Sequence, residues 1–319
     1  MILRLAFLLS IFNIDSHASI NKFEAAKYKV KLVVDSPGFN LNFKNLQDKS
    51  KFVKFQPSLR GRVGFEFFLK DFIGIGYGFA QPQKSDVAAK KGSSGYDDWR
   101  FSLAYEKFHI FVNYLRYSGF YIENSADVDP TWNSSSPFLS APNLKSKSIS
   151  INFTWLKHPN RFSYIAALDQ VHRQDESGGS WLWGGAITET DFSNAGAPII
   201  PNSFQSQLGS DQTLTQGKFQ AINAKLGYGH TWVWKKNWFV NGVIQLGFGL
   251  ERKNYNISAG SKNGWGSSSK SDVLINLGYN GDLVSTGISL FADATSFQTD
   301  SIIIESSAWT IKFFAGRRF

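Results

Sequence analysis

The chain contains no cysteine, which rules out disulfide staples, thiolate chemistry and the lipidated cysteine of a lipoprotein. After residue 14 no apolar run approaches the roughly 18–20 residues that a membrane helix needs, and the mean hydropathy is negative, at −0.21. Histidine is scarce, with five in 319 residues. Past residue 18 none stands in a His-x-Ser spacing, and the loop acids never adopt an EF-hand spacing, so no metal site is expected and no cofactor is implied. The formal charge of +9 is spread along the chain rather than clustered, which speaks against a nucleic-acid partner.

The first residues read as a secretory signal. Arg4 is the basic region, Leu5 to Ile14 the apolar region, and Ser16-His17-Ala18 a cleavage site. The expected division is a signal peptide over 1–18, a short N-terminal segment over 19–27 and one domain over 28–319. An exported domain without disulfides needs another means of stabilisation, such as closed strand pairing, and 42% hydrophobic with 16% aromatic residues provides ample apolar surface for it.

Alternation of period two organises that domain. Leu59, Val63, Phe65, Phe67 and Leu69 share one face, opposite Ser58, Arg60, Arg62, Gly64 and Glu66. Ile73, Ile75, Tyr77 and Phe79 repeat the pattern against glycines. Trp238, Val240, Ile244, Leu246, Phe248 and Leu250 form an apolar face opposite Asn241, Gln245 and Glu251. Strands are expected at Tyr28–Phe43 and at eleven later positions, including Phe162–His172, for a total of about twelve.

The connections alternate in length. Short turns fall at 70–71, 106–107, 157–161, 235–237 and 280–282, and long polar segments at 81–95, 118–146, 173–216, 253–270 and 296–306. Tight turns on one side and long loops on the other are expected of a transmembrane β-barrel. Trp232, Trp234 and Trp238 bracket one short turn as an interfacial aromatic girdle would.

The last strand places Trp309, Ile311, Phe313 and Phe319 on one face and Lys312 on the other. It resembles the C-terminal signal strand of a Gram-negative outer-membrane barrel, which implies recognition by the barrel-assembly machinery and periplasmic chaperones. Pro57–Asn124 also resembles a family of uncharacterised bacterial barrels, a domain of unknown function best represented in Bacteroidetes. The residues that carry the resemblance are IGIGYGFAQP (73–82), KKGSSGYDD (90–98) and YLRYSGFYIEN (114–124). It implies an outer-membrane barrel with outer-membrane lipid and lipopolysaccharide as surroundings, and no defined activity.

Two groups of residues are candidates for function. Alternation turns Arg60, Arg62, Glu66, Arg100, Glu106, Lys225, Glu251, Asp293 and Lys312 into the lumen, where they would either line a pore or pair and close it. Asp97, Asp98, Asp169 and His172, expected near the outer rim, resemble the acid pair and Asp/His pair of omptin-type proteases, which activate water by general base catalysis. The expected function is therefore a passive narrow channel or a structural and surface-interaction barrel. The alternatives are a lipid or peptide hydrolase at the rim and, more distantly, a soluble periplasmic β-protein. The oligomeric state is left open.

Overall fold

The computed structural model describes residues 20–21, 27–69, 73–105 and 107–319; the expected signal peptide, the 70–71 turn and Glu106 lie outside them. Twelve strands form one closed antiparallel ring. They are β1 (Tyr28–Asn45), β2 in two pieces (Phe52–Gln56 and Arg62–Leu69), β3 (Ile73–Ala80), β4 (Gly95–Tyr105), β5 (Phe108–Ile122) and β6 (Ser140–Leu156). The ring continues with β7 (Gly178–Ser193), β8 (Leu214–Trp234), β9 (Trp238–Ile257), β10 (Gly260–Asn280), β11 (Val284–Gln298) and β12 (Ile302–Arg318). β12 closes on β1 from Ile302 opposite Asn45 to Arg318 opposite Lys29. The main chain of Phe319 completes the seam: its carbonyl accepts from Lys27 and its amide donates to Tyr28. Both ends of the ring therefore lie at one rim, here termed proximal.

Side chains alternate across the wall. Facing outward and exposed are Phe65, Phe67, Ile75, Trp99, Phe101, Ile151, Phe153, Ile222, Leu246, Phe248, Ile275, Ile311 and Phe313. This apolar band makes the ring a transmembrane β-barrel, since a soluble domain would bury such a belt. Trp155, Trp181, Trp232, Trp234, Trp238 and Tyr279 gather outside the proximal rim, with Trp238 5.5 Å from Tyr279 and 6.4 Å from Trp234 between ring centres. The girdle expected at the 235–237 turn thus extends across neighbouring strands. At its centre Lys235 and Lys236 hold φ of 50° and 64°, the left-handed pair that a tight hairpin requires.

β1 runs unbroken through Asp35-Ser36-Pro37-Gly38. Pro37 lies between the two stretches where β1 pairs with β2, whose own course is interrupted at Pro57–Gly61. Gly38 is required there, because the indole of Trp309 on β12 occupies the space a Cβ would take. Distal to this point β3 and β4 drop out of the ring, and Phe55 and Gln56 of β2 pair directly with Ile122 and Tyr121 of β5.

Three expectations need correction. Phe162–His172 is not a strand: it belongs to a connection over 157–177 that folds into the lumen, with a helix at Tyr164–Leu168. Both its faces are apolar because it is surrounded by wall. The seventh strand lies instead within the supposed 173–216 loop, where Gly184, Gly185 and several Ser and Thr residues weaken the alternation. Finally, 253–270 and 296–306 are mostly strand, joined by turns at 258–259 and 299–301. Their outer faces stand beyond the apolar band, so they carry the polar composition of loops.

Candidate functional site

The lumen is filled in three layers. Its distal layer is apolar. Inward-facing Phe39, Leu41 and Phe43 of β1 meet Val53 and Phe55 of β2, Phe192 of β7, Phe219 of β8, Phe297 of β11, and Ile302 and Ile304 of β12. The 194–213 connection folds over them with Ile199, Ile200, Phe204 and Leu208. The rings interlock: Phe43 lies edge-on to Phe55 at 5.7 Å and to Phe192 at 5.5 Å, and Phe219 sits 5.3 Å from Phe297. Each such side chain contributes about 1.5–3 kcal/mol by burial.

Asp211 fastens that covering connection. It is fully buried and accepts from Lys262 Nζ at 2.8 Å, the Ser301 amide at 3.0 Å and the Tyr255 hydroxyl at 3.4 Å. Burial alone would raise its pKa, but hydrogen bonds from Lys262, Thr299 and Ser301 outweigh burial and hold the carboxyl below its ordinary range. The same bond to Asp211 raises the pKa of Lys262.

The middle layer is ionic. Arg62 grips Asp35 with two bonds of 2.7 Å and reaches Asp98 at 2.8 Å, while Arg100 holds Asp98 at 2.7 and 3.0 Å. One step proximal, Glu66 lies between Lys31, at 3.3 Å, and Lys312. On the far wall Lys225 pairs with Asp272 at 2.6 Å, and Lys270 pairs with Asp293. Glu251 is buried against the apolar layer, where it accepts from the Gln298 amide at 2.9 Å. Of the expected lumen set, Arg62, Glu66, Arg100, Lys225, Glu251, Asp293 and Lys312 point inward. Arg60 sits in the Pro57–Gly61 break rather than on a strand. Lys31, Asp35, Lys270 and Asp272, none of them in the expected set, complete the network together with Asp98, expected instead at the outer rim; strict alternation against Leu32, Val34, Val273 and Ile275 places the four on β1 and β10 in the lumen.

The proximal layer is the 157–177 plug. Ser163 caps its helix by accepting from the Ala166 amide at 3.1 Å. At the other end of the helix the wall supplies donors to the free carbonyls. Asn241 (3.2 Å) and Asn276 donate to the Ala167 oxygen, and Lys29 (2.5 Å) and Arg318 (2.6 Å) donate to that of Gln170. Asn280 donates to the His172 oxygen at 2.7 Å. Ile20–Asn21 pairs with Arg173–Gln174, so the chain ahead of the barrel is also joined to the plug.

The four candidate catalytic residues do not form a common site. Asp97 and Asp98 are consecutive on β4 and point to opposite faces, Asp97 outward toward Arg116 at 3.9 Å and Asp98 inward between its two arginines. Asp169 and His172 belong to the proximal plug rather than the distal rim. His172 Nδ1 lies 3.3 Å from Ser163 Oγ, but that hydroxyl is buried and already serves as the helix cap. Two voids in the ionic layer, of about 60 and 30 Å³, are each the size of at most a few waters.

Fold and site together define a twelve-stranded transmembrane barrel with a filled lumen. The chain belongs to the DUF4421 family, a domain of unknown function, whose model matches residues 15–319. No curated protein matches it. Solved structures similar to it include the outer membrane protease OmpT from Escherichia coli (TM-score 0.41, 9% identity, covering 92% of this chain and 96% of that one). Others are the outer-membrane-expressed OmpT of Vibrio cholerae (0.33, 8%, 97% and 100%) and the Pseudomonas putida toluene transporter TodX (0.29, 8%, 92% and 90%).

Proposed function

We propose that this protein is an outer-membrane barrel with a passive structural and surface-interaction role, closed to solutes, with its proximal rim in the periplasm and its distal rim outside the cell. The observation that carries this reading is the filling of the lumen, by apolar side chains, ion pairs and the plug in succession. Of the two passive roles open from the sequence, it favours the structural one over the narrow channel. The apolar outer band and the girdle at the proximal rim support the membrane location. The rim-hydrolase alternative loses the convergence of residues on which it stood. Trp309, Ile311, Phe313 and Phe319 are the positions on which assembly machinery and periplasmic chaperones would act. The test is conductance in planar bilayers. Folded protein should insert silently, and unitary steps of constant size from the intact chain would overturn the reading.

A further inference from the structure

The outer surface of the wall is uneven in charge at the distal edge of the apolar band. On β5, β6 and β8, Arg116, Lys145, Lys147 and Lys218 face outward. Cross-strand pairing sets Arg116 beside Lys147, Lys147 beside Asp191, and Asp191 beside Lys218. With Tyr114 they border a groove of about 550 Å³, lined by these four cations and one carboxylate, Asp191. That volume is within the range of about 300–1,000 Å³ usual for small-molecule sites.

Neighbouring acids leave part of this charge uncommitted. Lys218 is held by Glu189 at 2.8 Å and Arg116 lies 3.9 Å from Asp97. Lys145 and Lys147 make no ion pair among the described residues, and Lys147 lies over the Tyr114 ring at 5.8 Å, a contact that leaves its ammonium hydrogens free for an anion. Directly proximal to them on the same face of β6 come Ile149, Ile151, Phe153 and Trp155, all exposed. The corresponding transition on β10, β12 and β1 is made by Ser267, Ser269, Ser271, Ser307 and Ser36, and the charges beyond it on β1 and β12, Lys44 and Glu305, neutralise each other at 2.6 Å. A solubilising fringe would run evenly around the barrel, whereas here the cations without an acid partner stand together on one wall and continue into an apolar stripe.

We propose that the groove is a binding site for a phosphorylated amphiphile of the outer leaflet. Its phosphate sits on Lys145, Lys147 and Arg116 through charge-assisted hydrogen bonds, and its acyl chains lie along Ile149 to Phe153. The acyl contact separates this ligand from free phosphate. The site rests on the outer-membrane reading above.

The test uses the full chain folded in zwitterionic detergent and titrated with bisphosphorylated lipid A, with the same lipid dephosphorylated, and with inorganic phosphate. The phosphorylated lipid should bind, and the double variant K145A/K147A should bind it about tenfold more weakly, the expected loss for two charge-assisted contacts at an exposed rim. The dephosphorylated lipid should bind the wild type no better than that. A double variant at the serine wall, S267E/S269E, should leave binding unchanged. Equal affinity for the two lipids, or an undiminished double variant that keeps its folded gel mobility, overturns the site. Full displacement by inorganic phosphate overturns the acyl-chain contact. Insertion into phosphatidylcholine vesicles is scored separately: a barrel that inserts but shows no preference for phosphate removes the site and leaves the membrane reading intact, and one that does not insert removes that reading.

Discussion

The two ends of the lumen are closed by opposite chemistry. The distal end is sealed by interlocked aromatic and aliphatic side chains from most of the wall, with the 194–213 connection pressed over them. The proximal end is stopped by one short segment whose carbonyls are caught by Lys29, Arg318, Asn241, Asn276 and Asn280. Apolar closure is non-directional and spread over many strands, so it belongs to the stability of the barrel as a whole. Polar closure is local and exchangeable with water, and each bond nets only about 0.5–1.5 kcal/mol. The distal layer should therefore unfold only with the ring, while the plug can open below that threshold.

Substitutions at the two ends test this contrast, the largest effect being expected in the distal layer. Phe219→Ala removes a ring that touches Phe192, Phe297 and Tyr255 and should cost about 3–5 kcal/mol, read as a lower urea midpoint in lipid vesicles. A loss below that of the plug variants would reverse the ranking of the ends. Next is Asp211→Asn, expected to cost about 1–3 kcal/mol at neutral pH by weakening the bond to Lys262. Because the folded carboxyl titrates below the unfolded one, its stabilisation is complete above the ordinary carboxylate pKa of about 3.9 and is lost as pH falls through the lower folded value. The variant should flatten that part of the acid-unfolding curve, and an unchanged acid limb would mean that other groups govern it.

At the plug, Asn241→Ala with Asn276→Ala should cost only about 1–2 kcal/mol globally while markedly speeding protease cleavage within 157–177. Protection equal to wild type would show that the plug is as firmly fixed as the distal layer. The smallest change is expected at a turn belonging to neither closure. Replacing Lys235-Lys236 by Asn-Gly should stabilise the barrel by about 0.5–1 kcal/mol, because these residues accept left-handed backbone at less cost. A destabilised variant would point to a contact made by the lysine side chains.

The readable parts of the sequence were those where one face meets lipid and the other the lumen. On β9 and β12 that contrast is strong, and it led directly to outward Leu246, Phe248 and Phe313 and inward Lys312. It fails where the surroundings are alike on both sides. Tyr164 to Leu168 is enclosed all round and reads as a poor strand, while the upper parts of β9 and β10 have water outside and read as loop. The small residues of β7 hide it, and the expected total of twelve agrees with the structure only because an expected strand at 162–172, which is not one, stands in its place. At Asp97-Asp98 adjacency in sequence is not adjacency in space, because alternation on a strand sends consecutive side chains to opposite faces. Alternation alone can place Arg62, Glu66, Asp35 and Lys31 in the lumen, but which of them meet depends on register between strands, which one chain's pattern does not carry.

The shortening of β3 and β4 bears on the mechanics of the closure. Where they end, the ring passes from twelve strands to ten, and since bore scales roughly with strand number it narrows by about a sixth. The plug therefore sits below a shoulder, like a stopper in a tapered neck. Force from the proximal side would seat it more firmly, and a pull toward that side, along the Ile20–Asn21 segment already joined to it, is the direction in which it would come free.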